Sequence, residues 1–298
     1  MKKLLFALLL ALCLSTSARE LVLVSATAAG GGQDVTIRKI QTLLGSILGY
    51  PVTVEYHSGA EGAVAIQTLI NANQSNRTYV MLQTLALMLN APAEMVPVSY
   101  LGSQSAFIAV KPGFQENLQD CRNPRPMFFG TAGGVNSASN MLIKMLPSEC
   151  RKRFIHVPYR GGSQGIVDLM AGNIDMFIGS YVLTAGYVQT GTLKIAAELG
   201  TTQSRLYQDV PMLRYDLYKN MPNPNSWYVF AYNRIPATEL ESIARAFQTL
   251  YETAEFQKYQ QSIGMIRHIT ADSGAEQFRR DFSRLAQILE KQQIKTAD

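Results

Sequence analysis

The readable pattern begins with an unbroken apolar run, 21-LVLVSAT-27. A run without polar alternation fits a strand buried on both faces, as in a parallel sheet. The glycine loop 28-AAGGGQ-33 follows, and Asp34 stands where a helix N-cap is expected. Val35, Ile40, Leu43, Leu44, Ile47 and Leu48 then recur at helical spacing, and Gly49 and Pro51 are stop signals. Next come an apparent strand, 52-VTVEY-56, a glycine-bearing turn, a helix over 61–72 and a strand, 79-YVMLQ-83. This rhythm of strand and helix predicts a parallel sheet with helices on both faces.

The rhythm recurs in the middle third, with strands at 126–131, 153–157, 174–178 and 193–197. The last third reads as mostly helical, over 237–253, 254–263 and 274–293, with a short strand near 265–270. Two α/β lobes follow, each a mainly parallel sheet flanked by helices. The chain is expected to cross between them near 100–110 and again near 222–230, where 222-PNPNSW-227 interrupts the pattern. Lobe 1 would hold 19–106 plus 228–298, and lobe 2 would hold 107–227. Two crossings and a returning C-terminal segment describe a hinged, two-lobed receptor.

The first eighteen residues, MKKLLFALLLALCLSTSA, stand apart. Lys2 and Lys3 precede an apolar run from Leu4 to Leu14, and Thr16 and Ala18 are small residues suited to cleavage after Ala18. This reads as a cleaved export signal, so the mature protein is expected outside the cytoplasm. The alternative is a lipoprotein signal centred on Cys13, which the large Leu12 before it disfavours. Loss of Lys2 and Lys3 lowers the formal charge from +5 to +3, too little to imply nucleic acid.

Cys121 and Cys150 remain after export. Cys121 precedes an apparent strand, 126-PMFFGT-131, and Cys150 follows an apparent helix over 138–146. A strand running up and a helix running back place both at one end. A disulfide is therefore expected in an oxidising compartment, two unpaired thiols being the alternative. His57, His156 and His268 are scattered without ligand spacing, so no metal and no cofactor is expected.

Ligands of parallel α/β sheets bind beyond the carboxyl ends of the strands. Two loops there are rich in glycine, 28-AAGGGQD-34 and 130-GTAGGVNS-137, and neither contains Lys or Arg. Glycines admit close approach of the main chain, and helix N-termini favour anions. A carboxylate held by backbone N–H groups fits such loops better than a phosphate in a basic clamp. A rival signal lies in 157-VPYRGGSQGIVDLMAGN-173, where Gly161-Gly162-Ser163-Gln164-Gly165 satisfies the G-x-S-x-G elbow of serine hydrolases. Asp216 and His268 even supply the order of a triad. A true elbow places its serine directly after the strand, whereas Pro158, Tyr159 and Arg160 intervene here. A glycine turn that starts a helix needs no catalysis.

The chain resembles the Bug-type extracytoplasmic solute receptors of tripartite tricarboxylate transporters. The resemblance runs through 29-AGGGQDVTIR-38, 53-TVEYHSGAEG-62, 156-HVPYRGGSQGIVDLMAGNIDMF-177, 191-GTLKIAAELGTTQSR-205, 209-DVPML-213 and 226-SWYVFAYNRIPATELE-241. It implies a type II-like, two-lobed periplasmic binding protein that closes on a small carboxylated solute, without catalysis. By position, the ligand-binding residues implied are Ala29, Gly30, Gly31, Gly32 and Gln33 in the first loop, with Thr84 after the third strand. The second lobe contributes Thr131, Ala132, Gly133, Asn136 and Ser137, then Tyr159 and Gly161, and Ser180. The implied partners are a small organic acid and either membrane transporter subunits or a sensor protein, met by a monomer. The sequence departs from the family pattern at Gln33, at His57-Ser58 and at Glu61. The acidic or amide residue often found after the strand is missing at 178-IGSY-181.

Overall fold

The computed structural model describes residues 19–298 apart from 73–75, 205, 208, 214, 219, 268–272 and 295–298. The expected export signal with Cys13, and His268, lie outside the described residues. The chain runs β1 (Glu20–Ser25), α1 (Gly32–Leu48), β2 (Val52–Tyr56), a 3-10 turn (Ala60–Gly62), α2 (Ala63–Asn71), β3 (Arg77–Thr84), α3 (Leu85–Met88) and β4 (Met95–Ser103). It continues through β5 (Ala106–Val110), β6 (Met127–Ala132), α4 (Ala138–Lys144), α5 (Ser148–Arg151), β7 (Phe154–Tyr159), α6 (Gly162–Ala171), β8 (Met176–Gly179), α7 (Tyr181–Gln189) and β9 (Lys194–Leu199). It returns by α8 (Tyr215–Tyr218), β10 (Ser226–Tyr232), α9 (Ala237–Glu252), α10 (Ala254–Ser262) and α11 (Gly274–Lys291).

Two five-stranded sheets form, in the orders β2-β1-β3-β10-β4 and β7-β6-β8-β5-β9. The βαβ pairs run parallel as expected. Each sheet also takes in one antiparallel strand, β10 between β3 and β4, and β5 between β8 and β9. These are the strands with which the chain enters each sheet at a crossing. Gln104 and Ser105 alone separate β4 of the first sheet from β5 of the second. The two crossings are laced together there. Asn223 and Asn225 each donate a side-chain amide to the Gln104 carbonyl at 3.1 Å, and the Gln104 N–H donates to the Asn225 carbonyl. Such a pair of short, hydrogen-bonded links suits a hinge.

Alternation along β1 explains why both faces of the first sheet are covered. Leu21 and Leu23 pack with Ile37, Ile40 and Phe247, from α1 and α9. Val22 and Val24 pack on the opposite face with Leu69 and Leu285, from α2 and α11. In the second sheet, Phe177 and Ala109 meet Ile166 and Leu169 of α6, whereas Ile178 and Ile108 face the cluster with Leu142 of α4. Helix α1 begins earlier than expected. Gly31 is its N-cap, and Asp34 sits one turn inside, where it accepts the Gly30 N–H at 2.8 Å. Burial alone would raise the Asp34 carboxyl, but hydrogen bonds from Tyr56 and Gly30 and the nearby Arg38 hold it below the usual range. The strand expected near 265–270 is reduced, among the described residues, to a bridge between Ile266 and Ser103. Cys121 and Cys150 are joined by a disulfide, with Cα atoms 4.2 Å apart.

Candidate functional site

The carboxyl ends of β1, β3, β6 and β8 and the first residue of the antiparallel β5 converge on one cavity of about 130 Å³. Thr27, Gly31, Gly32, Gln83, Thr84 and Trp227 approach it from the first sheet's side. Ala106, Ala132, Ser137, Gly161, Gly162 and Ser180 approach it from the second. The N-caps of α1, α6 and α7 (Gly31, Gly161 and Ser180) are all in its wall; the two glycines have no side chain to cap their helices, and the Ser180 side chain makes no cap hydrogen bond. The first-turn N–H groups of α1 and α6, and those of α7 apart from Leu183, whose N–H donates to the Ser180 carbonyl at 3.2 Å, are therefore donors without a side-chain cap, each backed by a helix dipole. No Lys, Arg, Asp or Glu lines this cavity.

Two residues of the same wall hold a buried side-chain donor without a partner. Gln83 is 4% exposed; its Oε1 accepts the Thr84 N–H at 2.8 Å, which leaves Nε2 buried without a partner. The Trp227 indole N–H is also buried and unpartnered. A buried donor without an acceptor costs about 1–3 kcal/mol, so both are poised for an acceptor supplied from outside the chain. Gln33, in contrast, is spent on the fold. It accepts from Thr27 at 2.8 Å and donates to the Leu82 carbonyl at 2.7 Å, which pins the glycine loop to β3.

The structure brings together Gly31, Gly32, Gln33, Thr84, Ala132, Ser137, Gly161 and Ser180 of the expected residues around this cavity. Gly133 and Tyr159 join Ala132 in an adjoining chamber of about 560 Å³. Ala29 and Gly30 lie on the solvent side of their loop. Thr131 is fully buried behind the wall, and Asn136 is engaged by Glu61 of the other lobe. Sequence reasoning missed Gln83, Gln104, Asn225 and Trp227. Ser163 is exposed in the first turn of α6, outside both cavity walls, and Asp216 is exposed on α8. Among the described residues no cluster of His, Cys, Asp or Glu could hold a metal ion, and no helix is long and apolar enough to cross a membrane.

Thr131 is fixed by His156, whose Nε2 lies 2.7 Å from Thr131 Oγ1, and Thr131 in turn reaches Ser137 Oγ at 3.2 Å. Burial, reinforced by Lys144, depresses the His156 pKa from 6.5 to about 4. The folded chain therefore keeps this ring neutral while the unfolded chain protonates it first. Stability is expected to fall as pH drops from about 6.5 to about 4, by on the order of 2–3 kcal/mol from this group, and the loss saturates below that. Thermal melts of parent and His156→Gln at pH 7 and pH 4 check this. The variant should lose less on acidification, and equal losses would reject the assignment.

Two α/β lobes joined by paired crossings, with a donor-lined cavity between their strand ends, define a bilobal solute-binding protein. Residues 36–294 match the family described as tripartite tricarboxylate transporter family receptor, TctC. The chain belongs to that family, whose members are receptors rather than enzymes. It is similar to protein BugT of Bordetella pertussis, at 22% identity over 66% of this chain and 65% of that one. The first curated relatives are thus matched over a little under two thirds of their length. The fold is shared with the periplasmic binding protein BugD, at TM-score 0.77 and 18% identity over 93% of this chain and 98% of that one. It is also shared with MatC of Rhodopseudomonas palustris, solved with bound malate, at TM-score 0.73 and 17% identity over 91% and 99%.

Proposed function

We propose that this chain is a monomeric periplasmic receptor that captures a small carboxylated solute between its lobes and presents it to the membrane subunits of a tripartite tricarboxylate-type transporter. We place the lobe boundaries at Gln104–Ser105 and Asn225–Ser226, within two residues of the expected 106/107 and 227/228, and the export signal is removed after Ala18. The observation that carries this reading is a cavity without a charged wall, lined by three helix N-termini that lack a side-chain cap and by two residues, Gln83 and Trp227, that each hold a buried donor without a partner. Donors in excess of acceptors, with no mobile cation, recognise an anion whose charge is spread over few atoms, such as a carboxylate. MatC, of the same fold, was solved with a carboxylate. Closure over the solute is a hinge motion at the laced crossings, and the ligand draws the population toward the closed form.

The test uses the chain's single tryptophan, which stands in the cavity wall. Titration with a panel of organic acids should shift Trp227 emission, and native mass spectrometry should identify any solute that copurifies. Gln83→Ala removes one ligand donor and should weaken carboxylate binding by roughly 10- to 150-fold in calorimetry, the equivalent of one hydrogen bond to a charged group. A parent protein that binds no organic acid, or a Gln83→Ala variant that binds the same acids unchanged, would count against this site.

A further inference from the structure

The adjoining chamber shares Thr27, Gln83, Leu87 and Ala132 with the inner cavity, so a solute longer than the inner cavity extends into it. Its wall contains Glu61, which comes from the first lobe and reaches the second. The Glu61 carboxylate accepts the Asn136 N–H at 3.1 Å and the Asn136 side-chain amide at 2.6 Å. The main chain is bent to aim it, since Glu61 has φ 53° and ψ 34°, the left-handed region that a residue with a side chain enters at a cost. Gly134 makes the room, because a Cβ there would fall 1.8 Å from Glu61 Oε1. Three independent features thus place a carboxylate of the protein's own in the second glycine loop.

We infer that Glu61 is a specificity-determining residue that admits monocarboxylates and rejects solutes with a second carboxylate at the distal end. The inference rests on the carboxylate reading of the inner cavity. Glu61 lies in the chamber wall and sets a like charge against a distal carboxylate there, and the neighbouring Asn136 donors are already spent on it. The fitting solute carries one carboxylate, and its far end is uncharged or bears donors, such as a hydroxyl, an amide or an ammonium group. Arg160 also lines the chamber, but it is exposed at the rim, where water and salt screen it.

Matched pairs of equal chain length, butanoate with succinate and pentanoate with glutarate, test this on the full mature chain by calorimetry. Parent protein should prefer the monocarboxylate of a pair by on the order of tenfold or more. Glu61→Gln removes the charge and keeps the shape, because its amide can pair with the Asn136 side chain, whose Oδ1 is buried without a partner. The preference should shrink to about twofold in that variant, chiefly through a gain for the dicarboxylate, with a melting temperature near the parent's. Equal affinity for both members of a pair in the parent, or an unchanged preference in Glu61→Gln, overturns the role of Glu61 and leaves the carboxylate reading standing. A parent that binds no member of either pair, with no carboxylate among its copurifying solutes, overturns both.

Discussion

Gly32→Val is expected to lower carboxylate affinity by on the order of 100-fold while leaving the melting temperature of the unliganded protein within about 2 °C of the parent's. Gly32 opens α1 in the first lobe, and a Cβ built on it would lie 2.5 Å from Ser180 Oγ in the second. Its backbone is not in the left-handed region, so helix α1 accepts valine without strain of its own. A rotation of Ser180 relieves part of an alanine clash, whereas the two γ carbons of valine fall between lobes that must meet. Overpacking of this kind costs about 1–3 kcal/mol, and here the cost falls on the closed state alone. Because the open state is untouched, the penalty becomes a loss of closed population rather than a loss of folding. Small-angle scattering should show the parent compacting with ligand and the variant staying extended. A variant that closes and binds like the parent would show that the lobes do not meet at this point when liganded.

The strands and helices that repeat as βαβ units were legible because burial on two faces leaves unbroken apolar runs such as 21–24. The crossing strands were not. β4 carries Pro97 and Gly102, which read as breakers, yet β4 is an edge strand where proline is tolerated. β5 and β10 lie beside the predicted crossings and owe their state to partners far along the chain, β8 and β9 in one case and β3 and β4 in the other. The site divides in the same way. The glycine loops announce themselves, since close approach of main chain to a ligand demands glycine in sequence. Gln83 is a single amide at the end of an apolar strand, and its significance appears only when Thr84 is seen to claim its oxygen. The contact between Glu61 and Asn136 spans 75 residues and two lobes. Periodicity holds no information about such a pair, although the strain of a glutamate in a glycine-rich turn is itself a trace of it.

Reduction of the disulfide between Cys121 and Cys150, or Cys121→Ala with Cys150→Ala, is expected to cost about 3.5 kcal/mol of stability, roughly 7–14 °C in melting temperature for a chain of this size. The bond is separated by 29 residues in sequence and closes over β6 and α4, so its removal frees that stretch in the unfolded state. The folded state keeps a second clamp on the same connection. Arg153, 3% exposed, donates to the carbonyls of Asn117 and Asp120 and pairs with Glu116 at 3.4 Å. This clamp should hold the 116–120 segment in place without the covalent link, so the native shape and the inner cavity survive reduction. The expected result is therefore a large fall in melting temperature, with carboxylate affinity at 25 °C changed less than about twofold. Affinity that falls in step with stability would instead mean that the connection from β5 to β6 supports the cavity directly. An unchanged melting temperature would mean that the reduced unfolded chain is already constrained in this region.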